Sequence, residues 1–130
     1  MQALAVVERP EVPRHDGREL LEAWLAGRSP QTVDAYRRDL ADFASYVGAD
    51  SPARAAEALL GAGAGEANLA ALRYRATLLE RGLSPATVNR KLAALRSLVK
   101  VARTVGFITF SLDVENVRSQ AYRDTRGPGV

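Results

Sequence analysis

The stretch that decides the fold runs from Leu83 to Val105 and reads LSPATVNRKLAALRSLVKVARTV. Ser84 can accept a hydrogen bond from a backbone N–H left unpaired at a helix start, and Pro85 fits the first helical position because its φ is already helical. Apolar residues then recur every four and three positions, as on one face of a helix. They are Val88, Leu92, Leu95, Val99 and Ala102. The stretch therefore predicts one long amphipathic helix.

The same region concentrates positive charge. Residues 73–103 contain eight basic residues and one acidic residue, Glu80, whereas residues 1–72 contain seven basic and eleven acidic residues. Such segregation predicts a directional positive surface, and nucleic-acid phosphate is the commonest target of one. The polar residues beside or opposite the apolar stripe are Asn89, Arg90, Arg96, Ser97, Lys100 and Arg103.

Three interpretations fit this charge pattern. In the first, the helix lies in a DNA major groove, with Arg90 and Ser97 toward base edges and Arg96, Lys100 and Arg103 toward phosphates. In the second, the arginines pair with acids from the first half of the chain. In the third, the basic face binds a protein partner. Charge alone leaves all three open.

The composition narrows the class of protein. The 130 residues are 47% hydrophobic and 25% charged, as in an ordinary single globular domain. Absence of cysteine excludes disulfides and thiolate metal sites. No apolar run approaches the ~20 residues that span a bilayer, and the N-terminus lacks a signal-peptide core. We expect a soluble, cytoplasmic protein.

Four more helices are predicted before the long one, the first three from N-caps at Asp16, Ser29 and Ser51 and the fourth from its apolar residues and the terminating Gly82. They cover 16–26, 29–47, 52–60 and 66–81, whereas GAGAG at 61–65 is interpreted as a hinge. We expect residues 1–15 to be a loose arm, 16–118 to be the domain, and 119–130 to be a linker. Within the domain, 107–118 is expected to be an extended connector leading into a short helix.

The side chains predicted to be buried on these helices follow the same period. On 29–47 they are Val33, Tyr36, Leu40, Phe43 and Val47, and on 66–81 they are Leu69, Leu72, Ala76 and Leu79. Asp34, Asp39 and Asp42 are interpreted as a solvated face. Trp24 belongs either to the core or to an apolar edge left for a partner.

No catalytic constellation can be assembled from these residues. His15 is the sole histidine and lies in the arm, so a histidine-based triad or histidine metal cluster is excluded. Neither a metal site nor a cofactor is predicted. Catalysis by this chain itself is not expected.

Two motifs carry a resemblance to a known family. Thr32 to Leu40 reads T-V-x-x-Y-x-x-D-L, and Thr87 to Ser97 reads T-V-N-R-K-L-x-A-L-R-S. Both follow Ser-Pro, so the frame S-P-x-T-V occurs twice. With the YRDTRGPG ending, the chain resembles the N-terminal core-binding, SAM-like domain of tyrosine recombinases, the phage-integrase and Xer-type family.

The resemblance implies a fold and a function. The expected fold is an all-α, SAM-like bundle of four to five helices in two crossed hairpins, forming half of a clamp around a double-stranded DNA recombination half-site. The implied role is DNA binding in integration and recombination, with neighbouring protomers as further partners. Catalytic residues of the family belong to another domain and are not assigned here. The alternative is a helical protein–protein interaction module whose arginines pair with acids.

The resemblance also suggests contact residues. The candidate DNA contacts, together with Arg96 from the helix geometry, are Gln31, Thr32, Arg38, Thr87, Asn89, Arg90, Ser97 and Lys100. Leu21 and Trp24 are the candidates for contact with a neighbouring protomer.

Overall fold

The computed structural model describes residues 16–118, which fold into five α-helices and an extended C-terminal segment. The helices are α1 (Gly17–Leu25), α2 (Pro30–Val47), α3 (Pro52–Gly61), α4 (Ala64–Glu80) and α5 (Pro85–Thr104). No β-strand occurs between residues 16 and 118. The predicted all-α bundle is confirmed. The predicted arm, 1–15, and linker, 119–130, lie outside the described residues.

The helix starts follow from the cap residues. The Oγ atoms of Ser29, Ser51 and Ser84 each accept a hydrogen bond from the backbone N–H three residues later, at 3.2 Å. Asp16 accepts in the same way from the N–H of Glu19 at 2.9 Å. Each contact satisfies a donor that the helix itself leaves unpaired. The predicted starts of α1, α2, α3 and α5 are confirmed.

Helix α5 forms the centre of the core, because it packs against each of the other four helices. Its seven buried residues are Val88, Leu92, Ala94, Leu95, Leu98, Val99 and Ala102. This set includes the whole predicted stripe. Large side chains from the other helices surround it: Leu20, Trp24, Leu40, Phe43, Leu59, Leu60, Tyr74 and Leu78.

Helix α4 buries a different face from the predicted one. Leu69, Leu72 and Leu79 are 38%, 44% and 42% exposed. The buried residues are instead Ala67, Ala71, Tyr74 and Leu78. Both sets recur at intervals of three and four, so periodicity fits either face. The small alanines let α4 approach its neighbours closely, and this packing decides the face.

The glycine-rich segment 61–65 is mostly helical, so the predicted hinge is wrong. Gly61 is the last residue of α3 and α4 begins at Ala64, which leaves Ala62 and Gly63 as the whole connection. Gly63 has a φ of +91°, a backbone conformation that favours glycine. The glycines therefore make a tight corner between α3 and α4.

Residues 107–118 continue without regular secondary structure, and the short helix predicted there is wrong. We call residues 111–117 the strap. Leu112 and Val114 are buried, whereas Asp113 and Glu115 are exposed. The alternation of apolar and polar residues thus marks an extended segment that packs on the bundle without a partner strand.

Side chains from α4 and α5 bind the strap backbone. The Asn68 amide donates to the Ser111 carbonyl at 3.1 Å and accepts from the Asp113 N–H at 2.6 Å. The Asn89 amide pairs in the same way with the carboxyl-terminal residue of the strap, Val117, at 2.9 and 2.7 Å. These amides satisfy backbone groups that no helix or sheet satisfies, which explains how an extended segment is held.

Gly17 gives a direct test of the packing of α1 on α3. A Cβ at this position would lie 2.3 Å from the carbonyl oxygen of Ala53. Gly17→Ala is expected to lower the free energy of unfolding by about 1–3 kcal/mol, because one backbone has to shift. Urea denaturation followed by circular dichroism measures the change. Gly65→Ala is the control, since its Cβ meets nothing within 4 Å. Equal destabilisation by both would contradict the close α1–α3 contact.

Candidate nucleic-acid interface

A buried carboxylate joins α2 to α5. The Asp39 side chain is 1% exposed, and its Oδ1 accepts from Arg90 Nη2 at 2.8 Å and from Lys91 Nζ at 3.3 Å. Its Oδ2 is buried and has no hydrogen-bond partner among the described residues. The Arg90 side chain remains 49% exposed, whereas that of Lys91 is 11% exposed. One carboxylate therefore fixes an exposed guanidinium and a buried ammonium.

A second carboxylate joins α2 to the end of α4. Asp42 accepts from the Tyr74 hydroxyl at 2.5 Å and from two guanidinium nitrogens of Arg81 at 3.2 Å each, and Lys91 Nζ lies 3.7 Å away. Burial alone would raise the pKa of Asp42, but the hydrogen bonds from Arg81 and Tyr74 and the nearby positive charges outweigh it and lower that pKa. Burial and the bond to Asp42 raise the pKa of Tyr74.

The predicted solvated acidic face is therefore wrong for two of its three members. Asp34 is exposed as expected, but Asp39 and Asp42 turn toward α4 and α5. The physical reason is that bases on those helices neutralise both carboxylates. Ion pairing inside the domain, one of the three interpretations of the charge pattern, thus holds for Arg81, Arg90 and Lys91.

Helix α5 nevertheless keeps one narrow stripe in solvent. The exposed residues of α5 are Ala86, Arg90, Ala93, Lys100, Arg103 and Thr104. The helix contains no acidic residue, and neither Lys100 nor Arg103 has an ion pair within residues 16–118. The small alanines allow another surface to approach the helix backbone. A slender basic stripe of this kind suits the DNA major groove, which admits an α-helix.

Helix α2, which packs against α5, also has an exposed stripe. Its exposed residues are Pro30, Gln31, Asp34, Arg37, Arg38, Ala41, Ser45, Tyr46 and Val47. Arg38 directly precedes the buried Asp39 in sequence and has no ion pair with any described residue. Because the Asp39 contacts tie α2 to α5, the two stripes are held in a fixed relation. We call the exposed residues of α2 and α5 together the two-helix surface.

The repeated S-P-x-T-V frame builds the same cap twice. Ser29 Oγ lies 3.0 Å from Thr32 Oγ1, and Ser84 Oγ lies 3.1 Å from Thr87 Oγ1. Both threonines are half-buried, whereas Gln31 is exposed. DNA contact by these three residues stays a prediction.

Three other candidate DNA contacts have partners inside the domain. Asn89 and Arg96 bind the strap, with Arg96 Nη1 donating to the Val114 carbonyl at 2.9 Å. Ser97 accepts from the Trp24 indole N–H at 3.0 Å. The strap and α1 therefore cover that flank of α5. Their contact with DNA stays a prediction.

Trp24 is a core residue, one of the two places predicted for it, and its contact with a neighbouring protomer stays a prediction. It is 1% exposed, and its ring stacks on Tyr36 with centroids 4.6 Å apart. Arg28 lies on the α1–α2 connection, and its guanidinium is 5.1 Å from the Tyr36 ring centroid. Leu21 is only partly buried, and contact between it and another protomer remains a prediction.

The described part of the chain offers neither a metal site nor a membrane span. No group of three His, Cys, Asp or Glu side chains there could hold a metal ion. None of its helices is long and apolar enough to cross a membrane.

Comparison with known proteins identifies the family. The family described as phage integrase, N-terminal SAM-like domain, matches residues 21–106, which include both Ser-Pro-capped stripes. The chain belongs to this family. The resemblance seen in the two T-V motifs is thereby confirmed.

Curated relatives of this SAM-like domain are tyrosine recombinases. One from Synechococcus elongatus is 43% identical over 129 residues, 97% of this chain and 40% of that protein. One from Synechocystis is 42% identical over 102 residues, 77% of this chain and 33% of that protein. XerD of Bradyrhizobium diazoefficiens is 37% identical over 75 residues, 57% of this chain and 20% of that protein. The chain thus spans two fifths or less of these relatives, and no solved structure matches it.

Asn89 tests the role of the strap. Asn89→Ala removes both hydrogen bonds to Val117 and is expected to lower the free energy of unfolding by about 1–2 kcal/mol. Amide hydrogen exchange of Val117 should become faster, while exchange at Leu95 in the core of α5 should change only in proportion to global stability. Unchanged exchange at Val117 would contradict the amide clamp.

The pH dependence of stability tests the hydrogen bond between Tyr74 and Asp42. The lowered pKa of Asp42 means that its contribution to stability is present above the unfolded value of about 3.9 and is lost as pH falls. The raised pKa of Tyr74 means that its contribution is lost as pH rises above about 10. Tyr74→Phe should cost about 1–3 kcal/mol at neutral pH and flatten the alkaline loss in a denaturation series.

Tyr46→Phe is the control for that series. Tyr46 is 37% exposed, and its hydroxyl has no hydrogen bond among the described residues. Its removal should leave stability unchanged at neutral pH. An alkaline loss of the same size in Tyr74→Phe and the native protein would contradict the assigned role of the Tyr74 hydroxyl.

Proposed function

We propose that residues 16–118 bind double-stranded DNA through the two-helix surface, as the DNA-binding half of a site-specific tyrosine recombinase. The observation that carries this proposal is the exposed stripe of α5, which combines basic and small residues with no acid. Arginine and lysine bind phosphate, and a side chain such as that of Arg90 can also donate to guanine.

Charge accounting supports the proposal. Three cations, Arg81, Arg90 and Lys91, share two carboxylates on α2, so the ion-pair cluster keeps a net positive charge. Arg38, Lys100 and Arg103 add exposed positive charges without pairs in the described region. Internal pairing therefore uses only part of the basic set and leaves the rest for an anionic partner.

The whole protein's activity is inferred from its relatives. The tyrosine recombinase of Synechococcus elongatus aligns with 97% of this chain, which corresponds to only 40% of that protein. We assign strand cleavage and rejoining to the remainder of such a protein. This domain would position a DNA half-site and meet neighbouring protomers in recombination or integration.

A protein-interaction module remains the second candidate, and one observation favours it. Leu69, Leu72 and Leu79 form an apolar stripe on the exposed face of α4. Binding through such a stripe would be insensitive to salt, because apolar burial displaces no counterions. Salt dependence therefore separates the two functions.

The test is fluorescence anisotropy of the chain with a labelled duplex of about 30 base pairs, titrated between about 50 and 200 mM salt. Contact with about 4–6 phosphates predicts a log–log slope near −0.9 per phosphate. The double variant Arg38→Gln/Lys100→Gln should bind more weakly. Its log–log slope should become shallower by the amount expected for about two phosphate contacts. Neither residue has an ion pair in the described domain, so folding should be unaffected.

The matched control removes two positive charges elsewhere. Arg18 on α1 and Arg54 on α3 are exposed and lie outside the two-helix surface. Arg18→Gln/Arg54→Gln lowers the net charge equally, so it reports only the general charge effect. Equal weakening by both double variants, or binding independent of salt, would contradict the proposed function.

A further inference from the structure

Asp39 is an unexpected residue beside a surface proposed to bind phosphate. It places a carboxylate within 2.8 Å of the guanidinium of Arg90, an exposed base of that surface. Burial of such a pair is weak support for stability, because desolvation of the charges offsets their attraction. The unpartnered Oδ2 makes this burial less favourable still. Stability alone therefore does not account for Asp39.

We propose that Asp39 is a positioning residue for DNA binding, which holds the Arg90 guanidinium turned outward for a phosphate or a base edge. The proposal rests on the proposed function of the two-helix surface. Asp39 binds Arg90 through Nη2 only, which leaves Nη1 and Nε to meet a ligand. Half of the Arg90 side chain stays in solvent, so the contact orients this arginine without covering it.

Neighbouring charges prevent Asp39 from cancelling the charge of Arg90. Lys91 Nζ lies 3.3 Å from the same oxygen and is almost fully buried, so it balances the carboxylate from inside the domain. Arg90 therefore keeps its attraction for phosphate. A free arginine loses rotamer freedom when it binds, whereas one already held loses less. Asp39 therefore increases the affinity for DNA by preorganising the Arg90 side chain.

The test uses a substitution for which the charge effect and the loss of positioning predict opposite changes in DNA affinity. Asp39→Asn removes a negative charge near DNA, so electrostatics alone predicts tighter binding. Loss of positioning predicts binding weaker by about three- to tenfold, the scale for immobilising one long side chain. Asp50→Asn is the matched control, because Asp50 is an exposed carboxylate outside the two-helix surface with no ion pair in the described region. It should bind as tightly as the native chain or more tightly.

A double-mutant cycle separates positioning from a general structural defect. If Asp39 acts through Arg90, the loss caused by Asp39→Asn disappears in an Arg90→Gln background. A loss of the same size in that background would overturn the proposal, as would native or tighter binding by Asp39→Asn. If the native chain itself shows no salt-dependent binding, the proposed function fails. If Arg90→Gln weakens binding but Asp39→Asn does not, only the positioning role fails.

A measurement on the native protein covers the case in which Asp39→Asn does not fold. Nitrogen NMR of the arginine side chains, without DNA, distinguishes a held guanidinium from a rotating one. Arg90 should show two separate Nη signals, whereas exposed Arg38 should show one averaged signal. Averaging of Arg90 like that of Arg38 would overturn the proposal.

Discussion

The structure depends on one constraint: α5 has to be the central core helix and a basic surface helix at once. Seven buried side chains pack it against the four other helices, so only a narrow stripe reaches solvent. The side chain of Lys91 lies at the edge of that packing and is mostly buried. Its positive charge therefore requires a buried carboxylate beside it. Asp39 supplies it and also reaches Arg90. The ion pairs are thus a consequence of giving one helix both roles.

The same helix connects the surface to the end of the domain. Asn89, next to Arg90, clamps the last residue of the strap, and Arg96 holds its middle. Together with Asn68 of α4, these side chains of α5 set the path of the strap along the bundle. The strap is thereby held in a fixed position relative to the exposed stripe of α5.

Local rules predicted much of the fold, because caps and periodicity act within a few residues. Ser84 with Pro85, and the stripe beginning at Val88, defined α5 correctly. Such local rules could not predict which helix faces and side chains pack together in the folded domain. Two faces of α4 have the same spacing, and only packing of Ala67 and Ala71 selects one. Asp39 looked like a surface residue because its cationic partners lie more than fifty positions away. The roles of Asn89 and Arg96 required the path of the strap.

The most direct measurement is an amide NMR titration of the nitrogen-labelled chain with duplex DNA, read residue by residue. The account predicts that the largest shifts occur at 31–41 of α2 and 86–100 of α5, with small shifts along the leucine stripe of α4. Largest shifts at 69–79, with the two-helix surface unmoved, would contradict it. That result would assign recognition to the apolar face and leave the basic stripe without a ligand.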